Sequence, residues 1–253
     1  MIFHAMGSRL VLLSVMIGAV TAVGLTSCNT MLSKTVYSDT GGGWLRIQSS
    51  TILQDIHKGD IDIFESAPDE LSSDSSIMDP VQWTQVDYEE VTKALYENEF
   101  SETSSDWLFS RSLFKLDCRY AHLGPQSATF DLFRIIHGRD KDSRIERSIF
   151  IQPLLNRVGW SEREANPNQA NWRGINLTQV NIHAEDALHI AEQQGGQAVR
   201  ESVQDNCAIY VTMIADHWDG DWKVSYAGFQ SQEDLFRIYV DEESGAYRLD
   251  PQK

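Results

Sequence analysis

The spacing of apolar and polar residues predicts a helix followed by strands, twice over. Asp87 reads as a helix N-cap with Glu90 three residues on, the capping-box spacing, and Val86 and Val91 stand at hydrophobic-staple positions. Tyr88, Val91 and Leu95 then recur on one helical face, and the pattern fades near Asn98. Three strand-like runs follow. Phe114, Leu116 and Cys118 alternate with charged residues; residues 128–137 are β-branched and aromatic; Ile145, Arg147, Ile149 and Ile151 alternate up to Pro153. The second series starts with a helix at His183. Ala184, Ala187, Leu188 and Ala191 form its stripe, and Gly195-Gly196 reads as its stop. Cys207, Ile209, Val211 and Met213 alternate next, Asp219-Gly220 is a hairpin signal, and Trp222, Val224 and Tyr226 return. Phe236, Ile238 and Val240 make a further strand, with a short last one around Tyr247.

A helix followed by an antiparallel meander packs as an α+β layer pair. The expected organisation is therefore a first α+β domain over 81–158 and a second over 181–253. An Asn-rich linker over 159–180 joins them. Residues 29–80 read as a tether and loosely ordered segment, with Gly41–Gly43 in the tether and a Ser/Asp/Pro-rich stretch at 65–80. Trp44–Ile47 reads as the start of an edge strand. The pentapeptide Asp-Leu-Phe-Arg-Ile occurs at 131–135 and again at 234–238, each time after a cysteine-bearing strand. Its distance from that cysteine differs, so a diverged tandem repeat and chance identity both stay open.

Composition narrows the function classes. The 253 residues hold 21 Lys+Arg against 37 Asp+Glu, a formal charge of −16. Nucleic acid is excluded as a partner on that balance, because its recognition needs a basic footprint. Hydrophobic content of 42% is ordinary for a globular chain.

The N-terminus reads as an address. Arg9 precedes an uncharged run from Leu10 to Leu25, the secretory pattern. Leu25-Thr26-Ser27-Cys28 resembles a bacterial lipobox. The resemblance implies that residues 1–28 include a signal peptide cleaved before Cys28. It also implies thioether lipidation of Cys28 and acylation of the new amino group. The strongly apolar part is short for the ~30 Å hydrocarbon core that a transmembrane anchor must cross. Asn29 rather than Asp after the cysteine favours the outer membrane in enteric-type bacteria. Cleavage would remove Arg9 and take the charge from −16 to −17. An acidic body is repelled by anionic headgroups, so the acyl chains would do the holding.

The segment from Ile182 to Leu249 resembles a PepSY domain. Ile182-His-Ala-Glu-Asp-Ala-Leu-His-Ile-Ala191 is similar to that family's opening helix and Gly195-Gly196 to its stop. Trp222-Lys-Val-Ser-Tyr226 is similar to its middle strand, and Tyr239-Val-Asp241 with Ser244-Gly245 to its closing turn. Ser244 replaces the commoner Thr, and His183 stands where Ser or Thr is usual. The resemblance implies a small cystatin-like α+β fold for this segment, and with the first helix-and-strand series the expected fold class is α+β, two cystatin-like units, each a helix packed on an antiparallel sheet, the second PepSY-like. It also implies a non-catalytic module that in some settings restrains a peptidase.

Candidate chemistry is sparse. Cys118 and Cys207 each share a strand face with apolar residues, which suits two buried thiols. An extracytoplasmic compartment suits a disulfide instead. Asp216, Asp219 and Asp221 crowd one loop, but their spacing is not that of a calcium loop. An Asp-Gly turn with solvated neighbours accounts for them. The histidines at 4, 57, 122, 137, 183, 189 and 217 form no zinc pattern. Trp222 reads as core; Trp44, Trp83, Trp160, Trp172 and Trp218 read as seals at a domain junction or as an interaction surface. No catalytic, cofactor or metal motif is present. The expectation is a non-enzymatic envelope lipoprotein, held in the bilayer by acylated Cys28 and facing the periplasm or exterior. It would act as a protein-binding or regulatory module whose partner is a protein, a peptidase being one candidate. The alternatives are a structural or assembly spacer and a small hydrolase with an unrecognised site.

Overall fold

The computed structural model describes residues 38–60, 62–66, 81–139, 142–165, 174, 180–214, 220–229 and 233–250. The signal peptide, Cys28, Asp216, Asp219, Trp172 and Trp218 lie outside them.

Strand β1 (Ser38–Arg46) is followed by helix α1 (Ile52–Lys58) and the short β2 (Glu65–Ser66). Helix α2 (Gln85–Asn98) leads into β3 (Leu108–Asp117), β4 (Ser127–Ile136), β5 (Ser143–Gln152) and β6 (Arg157–Ala165). Helix α3 (Ala184–Ala191) runs through a π-turn into α4 (Gln197–Ser202). It leads into β7 (Cys207–Ile214), β8 (Trp222–Gly228), β9 (Asp234–Val240) and β10 (Tyr247–Leu249). The described strands make one antiparallel ten-stranded sheet, ordered β10-β9-β8-β7-β3-β4-β5-β6-β1-β2. This is an α+β fold. The first strand after α2 pairs with the first strand after α3–α4, from Arg111↔Ile214 to Asp117↔Ala208. One hydrophobic core consequently runs under both series of strands.

All the packed helices lie on one face of this sheet. Tyr88 of α2 meets the Phe114 ring edge-on, and Phe114 in turn meets Trp222. The Trp222 indole N–H donates to the Ile182 carbonyl at the head of α3, 2.7 Å away. Burial alternates along β3 and, in β7, from Ile209 to Met213, which is why the apolar period of these strands is readable directly from the sequence.

Four local readings need correction. Helix α2 starts one turn earlier than Asp87. Thr84 is the N-cap, and the Asp87 carboxylate accepts from the Thr84 N–H at 2.7 Å, so Asp87 is the third residue of the capping box. Val86 is exposed and staples nothing. Gly41–Gly43 belong to β1, and β1 lies between β6 and β2. Residues 159–165 stand in β6, not in a linker. Residues 166–173 and 175–179 of that stretch lie outside the described residues. Strand β6 escapes sequence reading because its polar side chains have tertiary partners: Glu162 faces inward onto Arg147.

Gly195-Gly196 does not stop the second helix. The backbone takes a π-turn over Glu192–Gly196, with Gly195 at φ +122°, and continues into α4. A Cβ at Gly196 would stand 2.4 Å from the Tyr226 hydroxyl. The missing side chain lets that buried hydroxyl enter the turn and donate to Glu192 Oε1 at 2.6 Å. Glu192 in turn accepts from Arg200 Nε at 2.7 Å.

The repeated pentapeptide occupies non-equivalent strands. It lies in β4, the second strand after α2, and in β9, the third after α3–α4. In β4 Leu132 pairs with Arg147 and Arg134 reaches Glu102, both on the helix side. In β9 Phe236 and Ile238 pair with the buried Tyr226 and Val224 and face the helices with them, so Arg237 turns to the other side.

Candidate functional site

Three constellations hold the polar chemistry of the helix side. The first is the seam between α2 and α3. Cys118 and Cys207, both buried, are joined in a disulfide with Cα atoms 5.3 Å apart at the end of β3 and the start of β7. Nearby, the fully buried Gln85 ties the two helix N-termini together. Its Oε1 accepts from the Ala184 N–H at 2.9 Å, and its own N–H donates to Glu185 at 3.2 Å. Gln85 Nε2 donates to Glu89, whose carboxyl is pushed up chiefly by burial. Each helix start thus satisfies orphan N–H groups of the other.

The second is a cage around Arg147. Its guanidinium is 4.0 Å from the Phe100 ring centre and 4.4 Å from that of Trp107. It pairs with Glu102 at 2.7 Å and Glu162 at 2.5 Å, and only 6% of the side chain is exposed. Burial acts to lower this guanidinium, but the hydrogen bond it donates to Glu102 and the neighbouring Tyr96 and Glu162 carry the net shift upward. Arg147 stays charged. The sequence carries the signal for it: an arginine at an inward position of an otherwise apolar alternation in β5.

The third is a group of carboxylates. Asp221, Asp241 and Glu242 place one oxygen each within 4.8 Å of one another, the one such group among the described residues. Asp221 accepts from Arg248 at 2.6 Å, and Asp241 accepts from the backbone and hydroxyl of Ser244. Glu242 Oε2 is buried without a hydrogen-bond partner, and burial with the neighbouring Asp241, Glu243 and Asp221 charges pushes its carboxyl up. The direction sets a test. A carboxyl raised above its unfolded value opposes folding when ionised, and that cost is relieved as pH falls through its folded value. Glu242→Gln is expected to gain about 1 kcal/mol in urea unfolding at pH 7. The gain should shrink toward pH 4, where wild type is itself protonated; a constant difference across that range would overturn the assignment.

A cleft of about 740 Å³ lies beside α1, with Ile47, Ile52 and Ile63 among its apolar lining and Asp55, Asp60, Asp62 and Glu65 among its carboxylates. Asp55 is held below the usual carboxylate range by the Lys58 ammonium 2.9 Å away.

The histidines are peripheral: His57 pairs with Glu90, His137 with Asp142, and His189 contacts Gln193. His183 caps α3 through its backbone N–H, which donates to Asp186. No described histidine belongs to the carboxylate group above. Of the tryptophans, Trp222, Trp83 and Trp107 are buried in the one core, where Trp83 meets Tyr88 edge-on. Trp160 packs on Phe100. Trp44 lies on the sheet's other face, 6.3 Å from Phe150.

That other face carries mixed polar and aromatic side chains. Lys115 lies over the Tyr210 ring, and Arg111 pairs with Asp131, which also accepts from Ser148. Among the described residues no helix is long and apolar enough to cross a membrane. No family model matches the chain, and neither a curated protein nor a solved structure matches it.

Proposed function

We propose that the protein is a membrane-tethered, non-catalytic lipoprotein of the bacterial envelope, anchored through Cys28, and that it binds a protein partner on the solvent-open part of the sheet face opposite its helices. In this reading the chain is two cystatin-like units, α2 with β3–β6 and α3–α4 with β7–β10, the second PepSY-like. The order of elements supports that division, because each series is a helix followed by four antiparallel strands.

The observation that carries the binding reading is the one-sidedness of the fold. The helices pack on one face of the sheet, while the opposite face presents Arg111, Lys115, Tyr210 and Thr212 partly open to solvent. A rigid sheet with half-exposed aromatic and charged side chains is a platform of the kind protein interfaces use. At the α2–α3 seam and in the Arg147 cage the charged and amide groups pair with one another, which supports a packing role for both.

The test is affinity capture with the native lipidated protein under mild cross-linking. Capture of a defined protein that is lost on Lys115→Glu with Thr212→Glu supports the platform. Capture unaffected by those changes, or none at all, counts against it. Metabolic labelling with a clickable fatty acid, lost on Cys28→Ala, tests the anchor separately.

A further inference from the structure

Arg46 and Arg157 are directly opposite one another on β1 and β6, on the sheet face that carries Trp44 and Phe150. Like charges in this position destabilise a strand pair unless something neutralises them. Among the described residues neither guanidinium has a carboxylate within ion-pairing distance. Glu65 stands opposite Arg46 on β2 but makes no ion pair with it.

The surroundings hold Arg157 in place. Its Nε donates to Gln152 Oε1 at 2.6 Å, and its guanidinium lies 4.3 Å from the Trp44 ring centre. Trp44 is seated in turn by Gly159, where a Cβ would stand 2.5 Å from the indole. Burial alone acts on the Arg157 guanidinium, pulling it downward, the mark of a cation losing water without gaining a counter-charge. The terminal nitrogens of Arg157 are not spent on Gln152, and Arg46 beside it is exposed.

We propose that Arg46 and Arg157, with Trp44 and Gln152 as positioning residues, form a binding site for an oxyanion of the phosphate type. A planar guanidinium already stacked and hydrogen-bonded loses little freedom when it takes a phosphate oxygen pair, and a second arginine at strand spacing closes the other side. The site does not rest on the membrane or partner reading above. A phosphate group reaches it equally from a soluble phosphate ester or a lipid headgroup.

Inorganic phosphate titrated into the full chain, followed by the NMR signals of the Trp44 indole and the Arg157 Nε–H, tests the site. The expected result is a saturable shift of both signals. The Trp44 shift should weaken about tenfold in Arg157→Gln and in Arg46→Gln, the scale of one charge-assisted hydrogen bond. Glu65→Gln should tighten it, and Lys93→Gln, at an exposed lysine of α2, should leave it unchanged. Phosphate should also raise the melting temperature of wild type but not of Arg157→Gln, while Arg46→Gln without phosphate should melt no lower than wild type. Non-saturating shifts, or equal affinity in wild type and Arg157→Gln, overturn the site. Vesicles of phosphatidylglycerol against phosphatidylcholine separate the sources. Retention on phosphatidylglycerol that Arg157→Gln loses identifies a headgroup ligand, and equal retention of the two proteins identifies a soluble one.

Discussion

Replacing Arg147 with alanine is expected to cost about 3–5 kcal/mol of folding stability, the range for breaking a buried ion pair from one side. The reason lies less in the lost attraction than in what stays behind. Glu102 and Glu162 both aim at the guanidinium, and Glu102 also accepts from the Trp107 indole at 3.1 Å. Without the arginine, two half-buried carboxylates face three aromatic rings. Arg134, 3.5 Å from Glu102, stays paired with that carboxylate. Arg147→Met combined with Glu162→Gln should recover a large part of the loss, since a flexible apolar side chain fills the cage and one stranded charge is gone. Urea unfolding monitored by tryptophan fluorescence measures both variants. A loss under about 1 kcal/mol for Arg147→Ala would show that the cage relaxes or admits water, as an exposed pair does.

The second large effect is at the seam. Cys118 and Cys207 are 89 positions apart, and closing a loop of that size restricts the unfolded chain by about 4–5 kcal/mol in the chain-entropy model. Cys118→Ala with Cys207→Ala is expected to lose most of that, with the secondary structure retained at low denaturant, because seven β3–β7 residue pairs and the Gln85 bridge remain. Both sulfurs are buried, so a mild reductant should not reach them in the folded protein; thiol labelling should stay silent until denaturant is added. Two thiols titrating at these positions in the native protein, or a double variant as stable as wild type, would defeat this expectation.

Both effects arise where the two series of elements meet or where one strand needs its neighbour, and this is where sequence reading loses its grip. Tyr88, Val91 and Leu95 are legible in α2 because a helix buried on one side repeats its apolar residues every three or four positions. Phe114, Leu116, Ile209, Val211 and Trp222 are legible because strands covered on one face alternate. Cys118 and Cys207 are visible as a pair of candidates, with their union left open between thiols and a bridge. Strand β6 is not legible: its inward positions are Val158, Trp160 and Glu162, and a glutamate facing a buried arginine looks like a solvated residue until the partner strand is in view. The Arg46–Arg157 pair is hidden for the same reason, since 111 positions separate two residues that the sheet sets side by side.

What the chain determines by itself, beyond its summed charge of −16, is therefore local: the helix faces and the strand periods. Each of these depends on residues within a few positions of one another. Tertiary structure alone decides that β3 and β7 pair, so that one core and one ten-stranded sheet take the place of two separate layers. It alone decides that Gly195-Gly196 continues a helix, since the reason is the Tyr226 hydroxyl arriving from β8. Strand pairing and buried polar contacts are energies between distant segments, and no local period encodes which distant segment will arrive.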